Sequence, residues 1–134
     1  MDLPQNAVVA VADGKKLALF KNEGQPSSIQ LKAMPAPDID DSKISSGGRH
    51  SSSAANPSDG QQDEDGFSAG VIDLLNKQVL DGKIKNLVII AAPRTLGELR
   101  KGYHKALSDV IVGELDKDLT GHSIQDIEKA ISAA

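Results

Sequence analysis

Hydrophobic positions in this chain follow two periods, and the change from one to the other predicts its elements. Ala7 to Ala12 is a short, continuous apolar run, which reads as a first strand covered on both faces. Asp13-Gly14 follows, a pair that favours the tight turn of a hairpin. Lys15 to Lys21 then alternates, with Leu17 and Leu19 on one side and Lys16, Ala18 and Phe20 on the other, as a half-exposed strand does. After a second turn over Asn22 to Pro26, Ser27 to Met34 alternates again, with Ile29, Leu31 and Ala33 sharing a face. The pattern predicts three antiparallel strands in a meander.

From about Asp63 the period lengthens. Phe67, Val71, Leu74, Leu75 and Val79 lie along one helical face, and Asp63, Glu64 and Asp65 suit its positive N-terminus. Asp81-Gly82 ends this helix, with Gly82 in the left-handed conformation. Leu87 to Ala92 is a second unbroken apolar run and reads as the central strand; Pro93, lacking an N–H for the ladder, stops it. Thr95 and Glu98 have the spacing of a capping box, so a helix is predicted to begin there. Leu96, Leu99, Tyr103, Leu107, Val110 and Ile111 keep the helical period, while Gly97 and Gly102 predict two short helices broken near Gly102. Val112 to Leu119 is polar and weakly alternating, which suits an edge strand. Ser123 and Asp126 cap a closing helix with a stripe of Ile124, Ile127 and Ile131. The order βββ-α-β-α-β-α predicts an α/β fold with a ribonuclease H-like mixed sheet, an order that other three-layer α/β folds share.

Pro35 to Asp65 interrupts both periods. It is rich in Pro, Ser, Gly and Asp and nearly devoid of large apolar side chains, so a long flexible loop over about 35–65 is expected. Its basic centre is Gly47-Gly48-Arg49-His50, between acids at Asp38, Asp40 and Asp41 and at Asp59, Asp63, Glu64 and Asp65.

Bulk properties narrow the picture. At 134 residues the chain reads as one domain, 1–134, and its core must be aliphatic because Phe20, Phe67 and Tyr103 are its whole aromatic complement. That shortage and a formal charge of -4 weigh against base stacking and against a general electrostatic grip on phosphates, while leaving room for a local basic patch. With no cysteine, disulfides and thiol chemistry are excluded. The N-terminus has no basic n-region and no apolar run approaches the ~20 residues of a membrane span, so a cytoplasmic location without membrane contact is expected. No cofactor and no metal are expected, and the oligomeric state is left open.

VVAVADGKKLALF (8–20), FSAGVIDLL (67–75) and LVIIAAPRTLGELR (87–100), followed by KDLT (117–120), together resemble the bacterial host attachment protein family, a bacterial branch of the archaeo-eukaryotic release factor superfamily. The resemblance implies the ribonuclease H-like central domain of release factors. It also implies a Gly-Gly-Gln loop between the early strands and the first long helix, whose glutamine positions the attacking water. Gly47 and Gly48 match the two glycines, but Arg49 stands where the glutamine should be. The resemblance therefore implies a non-catalytic ribosome- or RNA-associated domain related to release factors, with the ribosome or tRNA as partner and without peptidyl-tRNA hydrolysis. The family name offers the alternative of a protein-interaction module for attachment to host cells.

Each candidate also has a plain structural reading. Gly47-Gly48-Arg49-His50 is either an altered ribosome-facing tip or a Ser/Gly linker with a chance glycine pair. Arg94, Arg100 and Lys101, with His104 nearby, can hold an anion or RNA beside a helix N-terminus, or form a solvated face paired with Glu98. Asp13 and Asp73 supply two of the acids a ribonuclease H-like nuclease needs, but the strand ending Ala91-Ala92-Pro93 supplies none, so Asp13 is better explained by its turn. His50, His104 and His122 show no metal-ligand spacing.

Overall fold

A computed structural model describes residues 1–35, 37, 39 and 59–134. Among them are five strands, β1 (Val8–Ala12), β2 (Leu17–Asn22), β3 (Leu31–Ala33), β4 (Leu87–Ala91) and β5 (Ile111–Leu115). The helices are α1 (Asp59–Leu80), α2 (Pro93–Arg100), α3 (Lys105–Val110) and α4 (Ile124–Ala133). The strands form one mixed sheet in the order β3-β2-β1-β4-β5. The meander pairs antiparallel, while β4 runs parallel to β1, and β5 parallel to β4. The two unbroken apolar runs are the two central neighbours, and every residue of β1 and β4 is buried.

Helices cover both faces. On one, Val8, Ala10, Leu87, Ile89 and Ala91 meet Val71, Ile72 and Leu75 of α1, Leu96 and Leu99 of α2 and Leu107 of α3. On the other, Val9, Val11, Val88 and Ile90 meet Ile127 and Ile131 of α4. Full burial of such an isoleucine contributes about 1.5–3 kcal/mol, so these two side chains are the main apolar anchors of the ten-residue helix. Ser123 Oγ accepts the Asp126 N–H at 3.1 Å, the cap expected for this helix. Strand β2 is consequently more enclosed than its alternation suggests: Leu19 and Phe20 are both buried, one on each side of the sheet.

Several boundaries differ from the sequence pattern. Helix α1 begins at Asp59, inside the interval expected to be loop, because its first turn carries no apolar side chain for a period to register. Residues 36, 38 and 40–58, including Gly47-Gly48-Arg49-His50, lie outside the described residues. Strand β3 shrinks to three residues because Asn22 Oδ1 accepts both the Gly24 and the Gln30 N–H, which commits the intervening chain to a turn. Thr95 does not cap α2; Ala92 occupies that place, with Pro93 in the first turn and no side-chain cap. Ile111 leaves the helical run and opens β5, which ends at Leu115 rather than Leu119.

Two glycines act as the sequence implies. Gly82, at φ 79°, reverses the chain after α1. Gly102 separates α2 from α3, and a Cβ there would lie 2.5 Å from Ile72 Cγ2, so the joint approaches α1 more closely than any side chain permits. Asn76 of α1, nearly fully buried, locks that joint by donating to Gly102 O at 2.8 Å and accepting the His104 N–H at 3.1 Å.

Candidate functional site

Because β1, β4 and β5 run parallel, their carboxyl ends lie along one edge of the sheet, where open α/β sheets tend to place ligands. Asp13 follows β1, Pro93 and Arg94 follow β4, and Asp116 follows β5. A cavity of about 400 Å³ opens there, lined by Pro93, Leu96, Arg100, Glu114 and Asp116.

Its wall is a three-residue cluster. Arg100 Nη2 donates to Glu114 Oε1 at 2.7 Å, with Nε of the same guanidinium at 3.2 Å. The Tyr103 hydroxyl donates to Glu114 Oε2 at 2.5 Å. The Arg100 hydrogen bond is the main cause that holds the Glu114 carboxyl below its usual range, against the opposing effect of partial burial. Burial, then the neighbouring carboxylate, pushes the Tyr103 hydroxyl well above its ordinary range. Glu114 reaches this cluster through a bulge. Ile111 lies opposite Leu87 and Gly113 opposite Val88, so Val112 is one residue extra. Ile111 and Glu114, three apart, would otherwise face opposite sides of the sheet; with the bulge both face α1, α2 and α3.

The Asp13 end of the edge is also internally bonded. Asp13 Oδ1 accepts the Lys15 N–H at 2.7 Å and the Lys16 N–H at 2.6 Å, which closes the hairpin turn. Burial raises the Asp13 pKa, but those two N–H groups and Thr120 outweigh it and hold the carboxyl below its usual range. Thr120 Oγ1 lies 3.0 Å from Asp13 Oδ2 and 2.6 Å from Asp118 Oδ1, and its one proton can serve either carboxylate at a time. Asp73 lies at an exposed position of α1. Among the described residues no group of three or more His, Asp or Glu side chains converges on a metal position.

The basic residues singled out in the sequence are divided by the structure. Arg100 is held by Glu114 and Lys101 by Glu98, at 2.7 Å in each case. Arg94 lies exposed in the first turn of α2 with no ion pair among the described residues. The sequence pattern missed Glu114, and it read Tyr103 as an apolar helix position. The pairing of both depends on the β5 register, which no local periodicity encodes. No helix among the described residues is long and apolar enough to cross a membrane.

The model of a family described as bacterial archaeo-eukaryotic release factor family 12 matches residues 6–131. Among curated proteins, "Uncharacterized protein RP470" of Rickettsia prowazekii (strain Madrid E) is 37% identical over 51 residues, which are 38% of this chain and 34% of that protein. The chain thus matches about a third of that relative's length.

Proposed function

Because the chain belongs to bacterial archaeo-eukaryotic release factor family 12, we propose that it is a translation-related binding domain that associates with the ribosome or with tRNA and does not hydrolyse peptidyl-tRNA. The observation that carries this reading is the family match across nearly the whole chain, residues 6–131. The sheet order β3-β2-β1-β4-β5, with β2 antiparallel and β4 parallel to β1, supports a ribonuclease H-like architecture of the kind the release factor central domain implies. Arg49, standing where a release factor's loop would carry glutamine, supports the non-hydrolytic half of the proposal. The internally satisfied Arg100–Glu114–Tyr103 cluster supports it too, since its groups are committed to one another. Of the basic residues expected to meet an anion, Arg94 is the one whose charge is not engaged by an acid among the described residues.

The test is sedimentation of the full chain with ribosomes on a sucrose gradient. The native chain is expected in the ribosomal fractions, and replacement of Gly47, Gly48 and Arg49 by alanine is expected to move it to the top. A native chain that stays at the top overturns the proposal and leaves the protein-interaction reading, with its link to bacterial attachment to host cells, in its place.

A further inference from the structure

The opposite edge of the sheet carries a second feature. A cavity of about 320 Å³ opens at the amino ends of β1 and β4. Lys21, Lys83 and Lys85 line it, together with the side-chain amides of Gln5, Asn6 and Asn86. Among the described residues no carboxylate lines it, and none of the three lysines has an ion pair. In a chain with a formal charge of -4, three uncompensated cations around one cavity are a local reversal of sign.

Lys21 sharpens this. It lies directly opposite Lys32 in the β2–β3 register, an arrangement of like charges that destabilises a sheet. Lys32 is relieved by Glu23 at 3.8 Å, whereas Lys21 has no ion pair among the described residues. The backbone around the cavity is fixed from behind. Asn6, at φ 70°, donates its N–H to Asn22 O at 2.7 Å, and Val8 N–H is bonded to Asn86 O at 2.9 Å. The N–H groups of Gly82 and Lys83 close onto Val79 O and Gln78 O, which satisfies the end of α1. The main chain is therefore held by its own bonds, and the ammonium and amide groups remain to meet a ligand.

We propose that this cavity is a phosphate-binding site, taking either a phosphodiester of an RNA backbone or the phosphate of a small molecule. Three ammonium donors and neutral amide donors match an anion with several acceptor oxygens. The RNA source rests on the translation-related reading given above; the phosphate chemistry does not.

The experiment uses the full chain, isotopically labelled for NMR, titrated with inorganic phosphate at constant ionic strength. It is paired with anisotropy of a labelled single-stranded RNA oligonucleotide over a range of salt. The triple variant Lys21→Gln, Lys83→Gln, Lys85→Gln is compared with a control triple, Lys77→Gln, Lys105→Gln, Lys117→Gln. These are exposed positions, so folding is not at issue. Saturable amide shifts at Asn6 and Lys83 to Asn86 are expected with phosphate, absent in the first variant and kept in the control. For RNA, the slope of log affinity against log salt should fall by about 2 in the first variant, from roughly 0.7 per phosphate contact over three lysines. Phosphate shifts without RNA binding identify a small phosphorylated ligand, and RNA binding with the changed slope identifies the phosphodiester. No saturable shift with either probe, or equal losses in both triple variants, overturns the site. Failure of ribosome sedimentation with the phosphate shifts intact overturns the translation-related reading alone.

Discussion

Asn22 offers the most exacting test of how this architecture is held. Its side chain is fully buried and bonds to four backbone groups. Nδ2 donates to Leu3 O at 2.8 Å and to Pro4 O at 3.3 Å, while Oδ1 accepts the Gly24 N–H at 2.9 Å and the Gln30 N–H at 3.0 Å. Asn22→Ala strands Leu3 O, Gly24 N and Gln30 N in a place where water cannot readily replace the amide. At about 1 kcal/mol for each group, the loss is about 3 kcal/mol. With an unfolding entropy of roughly 2.1 cal/mol/K per residue, that lowers Tm by about 10 °C. Urea denaturation followed by circular dichroism reads the loss directly. A loss below about 1 kcal/mol would refute the reasoning. Asn22→Asp provides the sign check. One oxygen still accepts from Gly24 and Gln30, but the other now faces Leu3 O, to which only a protonated acid can donate. The folded pKa of that carboxyl is therefore raised, so its stabilising bond is present at acid pH and lost as pH rises through the folded pKa. An Asn22→Asp chain as stable as native at neutral pH would contradict this.

Tyr103 is the single tyrosine, so ultraviolet titration observes it alone. Burial and the Glu114 carboxylate raise its pKa above the usual 10.0; the stabilisation from a protonated Tyr103 is complete below about pH 10 and fades above it. Tyrosinate should appear only as the chain unfolds in alkali, and titration near pH 10 with the fold intact would overturn the assignment. Tyr103→Phe should cost about 2 kcal/mol, the worth of a hydrogen bond to a charged group. Glu114 is shifted the other way. Its stabilisation is present above the ordinary carboxylate value of 4.5 and disappears as pH falls through the lower folded value. The gap in urea midpoint between native and Glu114→Gln should shrink on acidification, and a gap independent of pH would show that Arg100 does not depress this carboxyl.

Elements whose side chains face a neighbour in a regular period were legible in the sequence. The two central strands, the hairpin turn at Asp13, the Gly82 terminus, the break at Gly102 and the cap and stripe of α4 all follow from local rules. Features set by pairing were not legible. Thr95 and Glu98 have the spacing of a cap, yet Pro93 already supplies a first helical turn and takes the start of α2 two residues earlier. Asn22 looked like an ordinary turn residue, because its bonds to Leu3 O and Pro4 O join segments about 18 residues apart. The amino-edge cavity was equally hidden: Lys21, Lys83 and Lys85 come from β2 and from the loop before β4, which only the sheet order brings together. The pairing of a basic residue with Glu98 was one of the readings the sequence offered, and Lys101 makes it at i,i+3, but the engagement of Arg100 by Glu114 required the β5 register.

The extra residue in β5 makes this strand sensitive to counting as well as to chemistry. A substitution of Val112, itself 38% exposed, changes only a surface side chain. Deletion of Val112 would leave Ile111 and Glu114 two apart and on the same face of a continuous ladder. Insertion of a second extra residue beside it is another matter, because a one-residue bulge absorbs only one of the two and every residue on one side of the insertion would turn over. Keeping Gly113 to Leu115 in place would swing Ile111 out of the α1 side; keeping Ile111 would send the Glu114 carboxylate toward Val88 and Ile90 beneath α4. An insertion at this one bulge is thus tied to the protonation of Tyr103 on the preceding loop, and chain length here is itself a determinant of the electrostatics.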